Sequence, residues 1–362
     1  MDGEHEDKLL GRGFDLFREL IDFDGVEVTR DIHLEGHTAS DDVWLVRVRG
    51  RRAPARIVVL AFRRFAPRFV DALTGGLSGV LRQHHNEPVI IVAPWLSRRS
   101  RELLQQHRIN YLDLTGNVWV RMADPPLVLH THGADHDPHP GEQPRRGLQG
   151  KLVNGIVRAL VDAAPPYRMS ELAAVTGASP AYVSRTLDAL DQERLIERAR
   201  NRLVVDVDWE QLLRERARSY ALTSTNRARP AIARRGLPHL LDTLRAAGAS
   251  DAVVTGSTAV QRYVRIAAPA QLALYVPDFA EAAMALDLMP AERGANVLLL
   301  KPAHPSQLDR PEVGDGLRYA GISQLALDCL GGNGRLPEEG EALLAWMREH
   351  TTQWRRSGLD QL

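Results

Sequence analysis

Residues able to do chemistry are few in this 362-residue chain, and most lack the neighbours that chemistry needs. The one cysteine, Cys329, lies in the apolar run LALDCL and reads as a small core side chain rather than a nucleophile. His130, His132, His136 and His139, with Asp135 and Asp137, are dense enough to suggest a metal. They fall in a Pro- and Gly-rich stretch without the fixed spacing of a zinc site, so neither a metal nor a cofactor is expected. Asp113 and Asn117 flank Thr115-Gly116. Both are open to a ligand or to nucleic acid, but the preferred reading is that they shape the turn. Gly256 and Ser257 follow an apolar run, as a phosphate-cradling turn would, yet Gln271, Leu272 and Ala273 stand where paired acids would hold a metal. No Ser/His/Asp ordering rises above chance, and no catalytic residue is assigned. What remains is a set suited to nucleic acid: Ser170, Ser179, Pro180, Ala181, Tyr182, Ser184, Arg185, Arg198, Arg200, Asn201 and Arg202.

The elements that must position this set are legible between Met169 and Val207. Ser170 is the expected cap of a helix over ELAAVTG, with Leu172, Ala173 and Val175 on its apolar face. Gly177 supplies the left-handed residue that ends it. Ser179 caps a second helix with Pro180 at its first position, where the missing N–H costs nothing. Val183, Leu187 and Leu190, spaced by four and three, face inward. Ala181, Tyr182, Ser184 and Arg185 are then expected outward near the helix start, the part that meets base edges in a major groove. RLIERARNRLVVDV reads as a hairpin with a basic tip. The whole is a winged helix-turn-helix.

Net charge is zero, from 46 basic and 46 acidic side chains, so any nucleic-acid footprint must be local. An apolar fraction of 44% supports packed cores. The lone cysteine excludes an internal disulfide, the first residues are no signal peptide, and no apolar run is long enough for a membrane. A cytoplasmic protein is expected. The organisation is α/β and multi-domain: an α/β domain over 1–132, a Pro/Gly/His linker over 133–150, the winged helix over 151–220, a basic linker over 221–236, and a second α/β domain over 237–362.

The leading domain runs helix, three strands, helix, strand, helix, strand, and resembles the restriction-endonuclease-like core. That resemblance implies a metal held by an Asp and an acid-x-Lys pair. The corresponding strand, RIVVLAF, carries no carboxylate, and Asp41 and Asp42 are read as a loop or cap. The last domain, VVTGSTAV followed by QLALYV, resembles a nucleotidyltransferase without its acids. The stretch IVAPWLSRRSRELLQQHRINYLDLTGNVWV resembles the AbiEi-like, type IV antitoxin-related family, through Ala93-Pro94, Ser97 and Tyr111 to Asn117.

The expected function is therefore that of a non-enzymatic, sequence-specific regulator of transcription. It reads double-stranded DNA as a homodimer, and its flanking domains sense a small molecule or nucleic acid, or dimerise. The alternatives are a divergent nuclease or nucleotidyltransferase, and an antitoxin that neutralises a partner toxin.

Overall fold

The computed structural model describes residues 2–22, 26–31, 41–49, 54–70, 73–74, 87–124, 126–135, 137–138, 152–246, 251–266, 268–291 and 293–362. The chain is mixed α/β and divides into two compact units: Met1–Pro144 with Gln192–Arg194, and Arg145–Asp191 with Leu195–Leu362. No described helix is long and apolar enough to cross a membrane.

The first unit is built on a seven-stranded sheet whose spatial order is its chain order. Its strands are β1 (Val26–Asp31), β2 (Asp41–Val48), β3 (Ala55–Ala61), β4 (Val89–Ala93), β5 (Asn110–Asp113), β6 (Val118–Met122) and β7 (Leu127–Thr131). Pairing is antiparallel except between β3, β4 and β5, which run parallel. Parallel strands are covered on both faces, which explains why VIIVA is apolar at every position. The two-residue period sorts the side chains. Ile57, Val59, Ile90 and Val92 join one core with Phe17 of helix α1 (Asp2–Leu20), with Ile21 just past its end and with Trp44. Val58, Leu60, Val89 and Ile91 join another with Leu104 of helix α2 (Arg98–Gln106). Asp41 and Asp42, expected in a loop, instead begin β2 opposite Leu60 and Val59. The expected helix over PRFVDALTGGLSGVLRQHH lies largely outside the described residues, as do His136 and His139.

The second unit opens with three helices and a hairpin: α3 (Val153–Asp162), α4 (Met169–Thr176), α5 (Pro180–Gln192) and β8 (Ile196–Arg198) with β9 (Val204–Val207). A bridge from Tyr167 to Val204 adds a third extended segment beside the hairpin. Helix α6 (Trp209–Ala217) follows, capped by Asp208, whose carboxylate accepts from the Gln211 backbone N–H.

Residues 221–236 are not a linker. They form helix α7 (Leu222–Thr225) and strand β10 (Arg227–Ala233), the second strand of a seven-stranded sheet. The sheet order is β13 (Leu288–Pro290), β10, β14 (Val297–Lys301), β12 (Leu272–Tyr275), β11 (Val253–Thr255), β16 (Leu317–Tyr319) and β15 (Glu312–Gly314). Arginines at alternate positions disguised β10: Arg227 and Arg229 are exposed at its start, whereas Ala231 and Ala233, further along the same face, are buried. Helices α8 (Gly236–Ala246), α9 (Gly256–Val260), α10 (Phe279–Ala285), α11 (Ile322–Leu330), α12 (Leu336–Glu349) and α13 (Thr351–Trp354) complete the unit.

One continuous apolar core runs from Val153 of α3 and Leu187 of α5 to Leu274 of β12 and Leu344 of α12. A buried polar network spans the same junction. The Asp328 carboxylate accepts from Tyr220 and Tyr275 hydroxyls at 2.6 and 2.9 Å, from Gln324 Nε2 at 2.7 Å and from Thr255 Oγ1 at 2.5 Å. Asn154 of α3 donates to Gln324 Oε1 at 2.8 Å. Arg158 of α3 is wholly buried and donates to Ser323 Oγ, to the Ser306 carbonyl and to the Asp309 carbonyl. Burial without a countercharge in contact lifts the Asp328 carboxyl above its ordinary range, although the four hydrogen bonds oppose the shift. Burial, with the Asp328 charge next, drives the Tyr220 and Tyr275 phenols upward too.

Candidate nucleic-acid interface

Two helices, α4 and α5, meet at a tight turn between Met169 and Gln192. Gly177 adopts φ 64°, the left-handed geometry that a side chain resists, and closes α4. Ser179 Oγ accepts from the Tyr182 backbone N–H at 3.3 Å and caps α5. Val183, Leu187 and Leu190 are buried, while Ser179, Pro180, Ala181 and Arg185 are exposed and Ser184 is half-exposed. An exposed helix start beside a hairpin is the geometry by which such motifs enter a major groove.

Several expected residues lie elsewhere. Ser170 does not cap α4: the cap position is Arg168, whose backbone N–H donates to Glu171 Oε2 at 2.6 Å, and Ser170 is an exposed residue of the first turn. A glutamate three residues on gives the cap its reciprocal acceptor, so the first turn starts two residues early. Val175, placed on the inner face, is 40% exposed. Tyr182, placed outward, packs against the core, because the phenol ring gains more by burial than at the surface. Its hydroxyl is close enough to influence Arg216, a buried guanidinium whose pKa burial pushes down.

The basic hairpin is less free than its sequence suggests. Arg198 is only 15% exposed and donates to Asp188 at 2.8 Å and Asp191 at 3.4 Å, both on α5. Arg202, at φ 63°, also reaches Asp188, at 3.2 Å, though its side chain stays 67% exposed. The hairpin is thus fastened to α5 by its own arginines. Sequence reasoning passed over Asp188 and Asp191, which stand one turn apart on α5 and both reach Arg198. Asn201 Oδ1 accepts from the Leu203 backbone N–H at 3.1 Å and shapes the tip. Arg185 and Arg200 are exposed and, among the described residues, carry no ion pair. Of the four arginines expected to contact nucleic acid, these two are exposed and unpaired, while Arg198 and Arg202 are held by Asp188.

Asp113 and Asn117 are structural. Asp113 is fully buried and its two oxygens accept from the backbone N–H groups of Leu96, Thr115 and Asn117, from Thr115 Oγ1 and from Asn117 Nδ2. Asn117 Oδ1 accepts from Arg101 and from the Gly133 backbone N–H. These groups are spent on joining β4, the β5–β6 turn and the segment after β7, leaving no lone pair for a ligand. Asp113→Ala is expected to destabilise the first unit by about 3 kcal/mol, since several buried donors lose their acceptor. Thermal melting checks this, and an unchanged midpoint contradicts it.

Gly256 adopts φ 64° and is buried, with Ala273 and Leu336 next to the place a Cβ would occupy. Ser257 is half-exposed on α9, a helix of five residues. The turn is closed by packing, and the adjoining Thr255 is held by Asp328. Among the described residues, no group of three or more His, Cys, Asp or Glu could hold a metal ion. Cys329 is buried, and burial pushes its thiol well up, as a core cysteine requires.

Comparison of the chain with family models, with curated proteins and with solved structures finds no match.

Proposed function

We propose that this chain is a sequence-specific double-stranded-DNA-binding regulator of transcription, related to the AbiEi-like family and active as a homodimer. The observation that carries the reading is the α4–Gly177–α5 turn, with Ser179, Pro180, Ala181 and Arg185 exposed at the start of α5. Arg185 reads a base edge, and Arg200 at the hairpin tip meets phosphate. The nuclease-like and nucleotidyltransferase-like outlines of the flanking sheets serve as scaffold and sensor rather than catalyst. This fits the absence of a carboxylate on β3 and on β12.

The test is selection of bound sequences from a random duplex pool with the full chain, followed by titration of variants. Arg185→Ala is expected to weaken the selected site by about 1–3 kcal/mol and to relax preference at one base pair. Arg200→Ala is expected to weaken all sequences alike and to reduce the salt slope by about one. If no sequence is enriched, or both variants bind as the parent does, the reading is wrong.

A further inference from the structure

Where β10 begins and β14 ends, the sheet of the second unit carries a patch of three cations that no ion pair neutralises among the described residues. Arg227 of β10 lies directly opposite Lys301 of β14 in the antiparallel register. Side chains so placed have Cβ atoms about 5 Å apart, and like charges there repel. Arg229, two residues on, shares that face. Arg227 and Arg229 are exposed and Lys301 is half-exposed. Among the described residues, none of the three has a carboxylate within ion-pairing distance. The acid that Lys301 and Arg229 influence is Asp278. Its carboxylate caps α10 by accepting from the Ala280 and Glu281 backbone N–H groups at 2.8 and 3.2 Å, and these bonds, with the two cations, hold it below the ordinary range. The Arg229 guanidinium sits 5.0 Å from the centre of the Phe279 ring, which orients it.

The face is also tied to the winged helix. Asn226, next to Arg227, is buried and donates to the Tyr220 hydroxyl at 2.9 Å, just past α6. The same side chain accepts from the Ala303 backbone N–H at 3.1 Å, two residues beyond Lys301. One buried amide therefore anchors both strand ends to the end of the reader, within one compact unit.

We infer that Arg227, Arg229 and Lys301 bind the phosphate backbone of the duplex that the winged helix reads. The chemistry required is a regular polyanion: a row of cations that repel one another gains most from a ligand that brings one negative charge to each. The inference rests on the DNA-reading proposal and names a second contact of the same partner.

The experiment measures binding of the full chain to a long mixed-sequence duplex as salt rises from about 50 to 200 mM, a range in which phosphate contacts dominate the salt dependence. The triple variant R227A/R229A/K301A is expected to bind roughly a hundredfold more weakly at low salt. Its slope of log K against log salt is expected to be shallower by about 2 to 3. The charge-keeping variant R227K/R229K/K301R is expected to retain the parental slope. Circular dichroism follows folding. Should the triple variant melt early, Arg229→Ala alone is used, with an expected slope change of about one.

A parental slope in the alanine variants overturns the inference. If Arg185→Ala still lowers specific affinity in that case, the DNA-reading proposal stands without it. Absence of duplex binding by the parent chain overturns both. Stronger binding to single-stranded RNA than to duplex, lost in the triple variant, overturns the duplex assignment.

Discussion

Asp328→Ala is expected to lower the stability of the second unit by about 3–5 kcal/mol, because it leaves a cavity faced by donors that have lost a buried carboxylate. Tyr220, Tyr275, Gln324 and Thr255 all donate to that one side chain. In a unit of this size, each kcal/mol moves the melting midpoint by about 2–4 °C, so a fall of about 10 °C is expected. Asp328→Asn separates charge from shape. The amide keeps an acceptor toward the phenols and can donate to Thr255, so most of the stability should persist. The two differ in pH dependence. Burial raises the Asp328 carboxyl above its unfolded value, so the fold holds the proton more tightly than the open chain. Its contribution is then fully present below the unfolded value, near pH 4, and is lost as pH rises through the elevated folded value. The asparagine variant should lack that decline. Melting midpoints against pH for the parent and both variants decide it, and parallel curves for the parent and asparagine forms would refute the assignment.

Arg158→Met is expected to loosen α3 from the sheet domain. The methionine fills part of the volume but leaves Ser323 Oγ and the Ser306 and Asp309 carbonyls without the donor that Arg158 gives them. Removing one side of a buried charged network costs about 3 kcal/mol or more. The loss should be local. Hydrogen exchange is expected to speed up in α3 and in residues 304–310, while the Asp113 cluster of the first unit keeps its protection. Uniform exchange across the chain, or none beyond the parent's, would show that Arg158 does not hold this junction. On the DNA-reading proposal, the same variant should bind duplex DNA with its base preference intact, because Arg185 and the Gly177 turn are untouched, but with a shallower salt slope if β10 no longer keeps its place beside α5.

The two units differ in how far sequence reading reached. In the first, strand runs such as VIIVA and helix α2 behind Ser97 were plain, since two-sided burial and an N-cap are local signals. Asp113 and Asn117 were rightly read as turn-shaping, but the reach of the cluster to Leu96, Arg101 and Gly133 was not visible, because those partners lie across strands. In the second unit, the short strands β13, β15 and β16 went unseen, as three-residue pairings carry no period of their own. Strand β10 was mistaken for a linker because its exposed first half is arginine and proline. At the candidate interface, the Gly177 turn and the Ser179 cap were legible, while the capture of Arg198 and Arg202 by Asp188 was not.

The sequence by itself determined the local grammar: where α4 ends at Gly177, where α5 begins at Ser179-Pro180, and which of Val183, Leu187 and Leu190 must turn inward. These follow from backbone freedom, capping and periodicity, which act within a few residues. The tertiary structure alone decided which charges remain available. Arg198 is consumed by acids on the neighbouring helix, Arg227 and Lys301 are brought face to face across a sheet from distant points in the chain, and Asp328 gathers donors from four segments. Charge pairing and burial depend on distance in space, and chain position does not encode that distance until the sheets and helices have packed.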